Sequence, residues 1–199
     1  MPPPPVFVPP DLLLVLATLA APDLDDAALA ERIRTGDERA FRAFFERHHD
    51  ALYGYLRRRR VSPDVCDDLV QNAFLYVWQN RQQIEPGKSL RAYLFRIAHT
   101  RALNHFRDTR RLTDDTALDF EPADLPGPDD HAEHAMMQEA LHAAIATLPD
   151  KRREVFELCF VEGLTYREAA EALEISVKTV ENQMGAALKT IRVAMQSFL

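Results

Sequence analysis

Six side chains suited to nucleic-acid binding recur along the segment 89–111, which the residue pattern predicts to be a helix capped by Ser89. At 100° per residue they fall within one sector of that helix: Tyr93, Arg96, Thr100, Asn104, Arg107 and Arg111. Guanidinium groups hold phosphates, an aromatic ring stacks on unpaired bases, and an amide reads base edges. This face, which we call the Tyr93 stripe, favours binding of single-stranded or melted DNA. An ordinary solvated basic helix face is the alternative.

A second candidate for DNA binding is the C-terminal stretch 165–184, which predicts two short helices joined only by Glu174 and Ile175. Thr165 and Glu168 have the spacing of a capping box at the start of the first helix, and Ser176 caps the second. The inner face of the second helix is predicted to be Val177, Val180, Met184, Leu188 and Ile191. So short a turn is typical of a helix-turn-helix, whose second helix enters the DNA major groove. An αα-corner inside a helical bundle is the alternative.

The helix before the Tyr93 stripe has a different outer face. Ser62 is predicted to cap this helix, with Pro63 at its first position. Its outer positions are acidic or polar, with one leucine near the middle: Asp64, Asp67, Asp68, Gln71, Asn72 and Leu75. Such a face suits docking on a basic protein, and an ordinary solvated helix side is the alternative.

The remaining patterns predict an all-α chain of two small helical domains. No convincing alternation of polar and apolar residues predicts a strand. Asp37 is predicted to cap a first long helix, and a helix over 155–161 is predicted to lead into the helix-turn-helix. The inner faces of the first two long helices are Phe41, Phe44, Phe45, Leu52, Tyr55 and Leu56, then Val65, Leu69, Val70, Phe74, Val77 and Trp78. The third contains Leu90, Leu94, Ile97, Ala98 and Phe106.

Composition divides the chain into four segments. Residues 1–26 form a Pro-rich and then apolar N-terminal extension, whose apolar run is too short to cross a bilayer and lacks the basic start of a secretory signal. Residues 27–111 and 135–199 are the two helical domains. Residues 112–134 hold eight Asp or Glu residues and no Lys or Arg, which predicts a flexible acidic linker.

Charge and residue counts exclude several classes of protein. A net charge of −7 argues against coating nucleic acid by bulk charge, because phosphate binding needs clustered basic residues. The two isolated cysteines, Cys66 and Cys159, indicate a reducing compartment and are expected to be buried. The histidines show no metal-ligand spacing, and no nucleophile–base pair or phosphate loop is found. We therefore expect no metal, no cofactor and no enzymatic activity.

Three motifs in this order resemble a bacterial RNA polymerase sigma factor of the extracytoplasmic-function (ECF) type. The run 68–75 (DLVQNAFL) is similar to the core-binding segment of that family, and 90–99 (LRAYLFRIAH) to its promoter-melting segment. The runs 148–156 (LPDKRREVF), 162–170 (EGLTYREAA) and 175–180 (ISVKTV) are similar to its C-terminal domain. The similarity covers about residues 27–111 and 135–195, which is nearly everything except the extension and the linker.

The resemblance implies a division of labour for the first domain, as sigma domain 2. It would bind the clamp helices of the polymerase largest subunit through one set of residues: Asp67, Asp68, Gln71, Asn72 and Leu75. It would read and open the −10 promoter element through the Tyr93 stripe. The acidic linker would thread the RNA exit channel.

For the second domain, as sigma domain 4, the resemblance implies reading of the −35 element and contact with the polymerase flap. The implied DNA-binding residues are Ser176, Lys178, Thr179, Glu181, Asn182, Gln183 and Lys189. An anti-sigma factor is an expected partner, the location is expected to be cytoplasmic, and no membrane insertion is expected.

Three departures from the family pattern leave the promoter sequence open. Glu174 stands where a glycine is usual in the turn, and Thr100 stands where many relatives have asparagine. The recognition helix reads ENQMGA over 181–186, where many relatives have several arginines. Two alternatives also remain at this point: a stand-alone helix-turn-helix activator that needs no polymerase, and a helical adaptor that binds only protein.

Overall fold

The computed structural model describes residues 26–112 and 132–196, and the regular structure within these ranges is entirely helical. The eight α-helices are α1 (Asp26–Arg34), α2 (Glu38–Arg58), α3 (Pro63–Gln79), α4 (Leu90–Leu112), α5 (Ala132–Ala146), α6 (Asp150–Phe156), α7 (Tyr166–Leu173) and α8 (Val177–Ala194). A 3-10 turn (Arg81–Gln83) follows α3, and a π-helical turn (Glu157–Val161) continues α6. The all-α prediction is confirmed. The N-terminal extension up to residue 25 and most of the predicted linker lie outside the described residues.

Side-chain caps fix where four of these helices begin, as the sequence predicted. The Asp37 carboxylate accepts the first free amides of α2, and the Ser89 hydroxyl accepts the Ala92 amide of α4. Thr165 and Glu168 form both bonds of the capping box on α7. Ser176 accepts an amide from the first turn of α8. Each cap satisfies helix N–H groups that have no partner within the helix.

Ser62 marks the start of α3 without capping it, since its hydroxyl accepts no bond from the helix. Pro63 defines the start instead, because its ring fixes a helical φ and it has no N–H to satisfy. The helix predicted over 155–161 begins earlier, at Asp150. Cys66 is buried as predicted, whereas Cys159 is only partly buried.

The core of the N-terminal half, residues 26–112, lies where α2, α3 and α4 pack together. Its largest fully buried side chains include Phe44, Leu52, Tyr55, Leu56, Val70, Leu94 and Phe95. Phe95 was not predicted, and its ring meets Tyr55 edge-on with centroids 5.3 Å apart. Phe45 was wrongly predicted on the inner face: it is 36% exposed, at the edge of the helix stripe, where its ring contacts Phe74.

In the C-terminal half, residues 132–196, α8 packs on α5, α6 and α7. Small side chains let α7 approach closely, since Ala169, Ala170 and Ala172 are all buried. Val177 was predicted to face inward, but as the first residue of α8 it extends past the packed helices and is 40% exposed.

The two halves also contact each other, through α4 and α7. Among the described helices, none has the length and apolar character needed to span a membrane.

Candidate nucleic-acid interface

The Tyr93 stripe runs along α4, and its first turn is partly covered. Tyr93 and Arg96 are half-buried, and the Arg96 guanidinium lies over the Tyr93 ring, 5.2 Å from the ring centroid. Burial, together with the nearby Tyr76, raises the pKa of the Tyr93 hydroxyl above its usual value. The phenol therefore stays neutral at physiological pH. A neutral ring with a cation on its face is a platform for base stacking.

The rest of the stripe faces solvent. Thr100, Asn104 and Arg107 are exposed. The Thr100 hydroxyl donates to the Arg96 carbonyl at 2.9 Å, so its oxygen keeps only acceptor capacity toward a ligand. Arg107 lies 3.6 Å from the Asp108 carboxylate in a solvent-exposed pair. Arg111 belongs to α4 by its backbone, but its side chain lies outside the described residues.

One aromatic–cation pair beside the stripe was missed by sequence reasoning. The Arg101 guanidinium lies 5.4 Å from the centroid of the Tyr76 ring, which joins α4 to α3. Tyr76 is 38% exposed and follows the exposed Leu75. Two adjacent apolar residues at the outer edge of α3 were the signal that could have identified it.

The predicted docking face on α3 is exposed along its length. Asp67, Asp68, Gln71 and Asn72 all face solvent, and Leu75 is 47% exposed. The inward side of the same helix is buried, including Val70 and Phe74 among others. The helix therefore presents a polar surface that ends in the exposed Leu75 and Tyr76, next to the helix that carries the Tyr93 stripe.

The second helix of the helix-turn-helix presents most of its predicted DNA-binding residues to solvent. Ser176, Lys178, Glu181, Asn182 and Lys189 are exposed. Thr179 and Gln183 are partly buried, so they have less freedom to reach a base. A side chain added at Gly185 would meet no atom within 4 Å, which leaves open space along the centre of α8.

Five of these residues already have side-chain partners, and the Ser176 and Thr179 hydroxyls are bonded to each other at 2.8 Å. The Lys178 ammonium lies 3.0 Å from the Glu181 carboxylate. The Gln183 side-chain oxygen accepts a bond from Arg152 of α6 at 3.4 Å. Arg152 was not predicted as a site residue, and nothing in its sequence context indicated that it reaches α8. It adds positive charge beside the recognition helix.

Glu174, in the turn between α7 and α8, has a left-handed backbone with φ 54° and ψ 40°. Glycine adopts this conformation without steric cost, whereas a glutamate there costs on the order of 1 kcal/mol. Its carboxylate lies 3.9 Å from the Arg96 guanidinium of the Tyr93 stripe. The two predicted DNA-binding regions therefore lie close together at this point.

The described residues hold no group of three or more His, Cys, Asp or Glu side chains that could bind a metal ion.

Two family models match the chain. Residues 44–112 match the family described as "Sigma-70 region 2", and residues 138–191 match "Sigma-70, region 4". The first match contains the α3 face and the Tyr93 stripe, and the second contains the helix-turn-helix.

Curated relatives match over most of their length. The chain is 32% identical to "RNA polymerase sigma factor NccH" of Alcaligenes xylosoxydans xylosoxydans, over 86% of this chain and 95% of that protein. It is 30% identical to "ECF RNA polymerase sigma factor SigK" of Mycobacterium tuberculosis, over 85% of this chain and 92% of that one.

Solved structures with the same fold include CnrH in complex with the cytosolic domain of CnrY. That match has a TM-score of 0.59 and 28% identity, over 86% of this chain and 97% of CnrH. RpoE of Bartonella quintana, solved with the anti-sigma factor NepR, has the same TM-score at 20% identity, over 78% of this chain and 96% of RpoE, and shows the fold alone.

Proposed function

The chain belongs to the ECF-type sigma factors of bacterial RNA polymerase, and we propose that its two helical halves divide promoter recognition between the exposed faces described above. As a sigma factor it binds core polymerase and directs transcription initiation at promoter DNA. We assign sigma domain 2 to residues 27–111 and sigma domain 4 to residues 135–199, with the acidic segment 112–134 between them as a linker in the RNA exit channel.

Core polymerase binds the outer face of α3 in this proposal. The exposed carboxylates of Asp67 and Asp68 complement a basic partner surface. Gln71 and Asn72 offer hydrogen bonds, and Leu75 supplies an apolar anchor. Charge complementarity speeds the encounter of two proteins, whereas a buried apolar anchor contributes most to slow dissociation.

The Tyr93 stripe opens and holds the −10 element. Arg96, Arg107 and Arg111 neutralise phosphates, and Asn104 and Thr100 contact base edges or sugars. The Tyr93 ring gains a stacking partner only when bases are unpaired, so it stabilises the melted strand over the duplex. The Arg96 guanidinium on the ring supports this assignment, because it holds a phosphate-binding group next to the stacking surface.

The −35 element is read by α8. Glu181 accepts from a cytosine amine and Asn182 pairs with adenine, while Lys178 and Lys189 hold phosphates. Ser176, Thr179 and Gln183 complete the surface with polar contacts. Because α8 carries few long basic side chains, we expect modest affinity at this end and a larger contribution from the −10 contacts.

Two further partners and the location follow from family membership. CnrH was solved in complex with the cytosolic domain of CnrY, which supports a regulatory protein, by resemblance an anti-sigma factor, as a partner of this chain. The polymerase flap is proposed to bind the C-terminal half. Action with core polymerase on promoter DNA makes the cytoplasm the proposed location, and a transcription factor of this kind needs no catalytic centre or cofactor.

The observation that carries the proposal is the pair of chemically different faces on neighbouring helices within the region 2 match. The face on α3 is acidic and polar, and the face on α4 is basic and aromatic. A stand-alone activator would need neither, and an adaptor that binds only protein would not need the Tyr93 stripe. A sigma factor uses both at once, one for polymerase and one for DNA.

The test is co-purification of variants with core polymerase, followed by run-off transcription over a promoter library. We expect Gln71→Ala combined with Leu75→Arg to abolish core binding while helicity is retained, because it removes the apolar anchor and adds a repelling charge. Glu46→Ala with Gln82→Ala is the matched control, since both residues are exposed off the α3 face and the change in net charge is the same. A folded double variant that binds core like the wild type would remove the α3 assignment.

A further inference from the structure

The contact between the two halves contains a cluster of charged groups that neither DNA nor polymerase binding explains. Its centre is Glu154 on α6, whose side chain is only 13% exposed. The Glu154 carboxylate accepts bonds from the Tyr55 hydroxyl at 3.2 Å, from His99 at 2.8 Å, and from Arg59. All three partners belong to the N-terminal half. We call this group the Glu154 latch.

The ionised form of Glu154 is favoured by these partners. Burial raises the pKa of the carboxyl, but the bonds from His99 and Arg59 outweigh burial and hold that pKa below its usual value. A buried carboxylate with three donors is a strong, directional contact. Removing it would leave the mostly buried Arg59 guanidinium without its bonded carboxylate, which disfavours the packed arrangement.

A second set of contacts closes the same boundary. Arg58 pairs with Glu162, and Arg91 donates to the Gly163 carbonyl at 2.7 Å. Within the described residues, the buried Nε–H groups of Arg58, Arg59 and Arg91 have no hydrogen-bond partner. Unsatisfied buried donors are unfavourable. The contact is therefore specific in its pairing, but these donors weaken it, which is consistent with a contact that opens.

Closure places carboxylates on the Tyr93 stripe. Glu171 of α7 lines the same groove as Tyr93 and Arg96, and the Glu174 carboxylate faces the Arg96 guanidinium. The groove therefore holds acidic groups where the proposed function places DNA phosphates. The left-handed glutamate in the turn gains a role in this arrangement, because glycine at that position could not supply the charge.

We propose that the free chain holds itself in a closed form, in which the Glu154 latch joins the two halves and the α7–α8 turn covers the Tyr93 and Arg96 end of the DNA-binding face. Opening of the latch must precede DNA binding at that face. The latch itself rests on the contacts between the halves, whereas its inhibitory effect rests on the proposed function of the Tyr93 stripe.

The first measurement follows the distance between the halves. Dyes are attached at Asp50→Cys on α2 and His142→Cys on α5, both exposed positions, and energy transfer is recorded in the full chain. Cys66 and Cys159 stay unlabelled, because burial raises the pKa of their thiols to about 11 and about 12 and so disfavours the reactive thiolate. Glu154→Gln should lower the transfer efficiency. Glu38→Gln, an isosteric change at an exposed glutamate, should not.

The second measurement is binding of a fluorescein-labelled oligothymidine of about 12 nucleotides. If the closed form is populated to about 90%, opening raises the apparent affinity about tenfold. Glu154→Gln should therefore bind the oligonucleotide about tenfold more tightly than the wild type, and Glu38→Gln should bind like the wild type. Arg91→Met, which removes the bond to the Gly163 carbonyl, repeats the test if Glu154→Gln loses helicity.

The outcomes separate the latch from the proposed function. Unchanged transfer efficiency in folded Glu154→Gln and Arg91→Met variants overturns the closed form. Lower transfer without a gain in affinity overturns the inhibition. If the affinity gain appears and survives when Tyr93→Ala is added to Glu154→Gln, the closed form stands and the role assigned to Tyr93 is lost.

Discussion

We propose that Glu181 is the residue on which promoter choice at the −35 end depends most. Its carboxylate pairs with the Lys178 ammonium in the free protein, but both side chains are largely exposed. Such a pair contributes about 0–1 kcal/mol, so a cytosine amine can displace the lysine. The pairing also pre-orients the carboxylate toward the side of α8 that faces solvent.

We expect Glu181→Ala to relax the preference at one −35 base pair, with a loss of roughly 1–3 kcal/mol of discrimination. Lys178→Ala should weaken binding to all sequences alike, because a lysine on phosphate carries no sequence information. Lys151→Ala, at an exposed lysine on α6 with no assigned DNA contact, is the control for loss of charge alone. Selection from randomised −35 DNA by the four holoenzymes, wild type and three variants, measures this. Identical motifs from wild type and Glu181→Ala would show that Glu181 reads no base.

The helices of this protein begin in two ways. Some are capped by a side chain, and others begin where the backbone geometry alone favours a helix. Asp37 accepts two amides of α2 and also pairs with Arg32 at 2.8 Å. Those amide bonds, with Arg32, hold the pKa of the Asp37 carboxyl below its usual value. Ser62 makes no comparable bond, and Pro63 supplies the geometry of α3 by itself.

Alanine substitutions at Asp37 and Ser62 are therefore expected to lower the free energy of unfolding by unequal amounts. Asp37→Ala should lower the free energy of unfolding by about 1 kcal/mol, as loss of a bonded cap does. Ser62→Ala should change it by no more than about 0.5 kcal/mol, the usual range for a surface substitution that removes no cap bond. Urea denaturation followed by circular dichroism compares the midpoints. Equal losses in the two variants would contradict the distinction.

Local patterns predicted the helices and most caps, because period and capping depend on residues a few positions apart. Glu168 follows Thr165 by three residues, and the bonds that this spacing predicts are present. The partial burial of Tyr93 and Arg96 could not be predicted in the same way. It depends on Glu171 and Glu174, which lie more than 70 residues further along the chain and meet the stripe only when α7 packs on α4.

Packing between helices also decides which predicted inner residues are exposed and which unpredicted residues are buried. Phe45 was predicted at an inner position and Phe95 was not, yet Phe45 is exposed and Phe95 is buried. The difference arises because Tyr55 of α2 meets Phe95 on α4, whereas Phe45 lies at the margin of the α2–α3 contact. The periodicity of apolar residues predicts which side of a helix faces the core. It does not predict how much of that side a neighbouring helix covers.

For the whole molecule, the balance between closed and open forms is the property that links structure to regulation. In the proposed function, core polymerase must reach the α3 face, and DNA must reach all of the Tyr93 stripe. The α3 face is exposed in the closed form, while the stripe is covered at one end. Polymerase can therefore dock first, and opening can follow on the enzyme.

Glu162 makes this balance sensitive to pH. Burial, with a smaller contribution from Glu157, raises the pKa of its carboxyl to about 7. Arg58 and Arg91 lower this pKa but do not outweigh burial. In an open, solvated chain the same group would lose its proton near 4.5. The closed form thus binds a proton that the open form has released, so closure is favoured below about pH 7 and weakens as the pH rises through that value.

Energy transfer between the dyes on α2 and α5 should therefore fall as the pH is raised from about 5.5 to about 8. Glu162→Gln keeps the site neutral at every pH, so it should hold the transfer high and remove most of this slope. Glu154 contributes no slope of its own here, because its lowered pKa leaves it ionised in both forms.

Glu157 is the other carboxyl at this boundary whose pKa is raised by burial, so Glu157→Gln measures its share of the slope. Glu162→Gln and Glu154→Gln are the same chemical change, eight positions apart, with opposite expected effects on closure. If Glu162→Gln opened the chain as Glu154→Gln does, the charge on Glu162 would be holding the halves together, and the assigned direction of the pH response would be reversed.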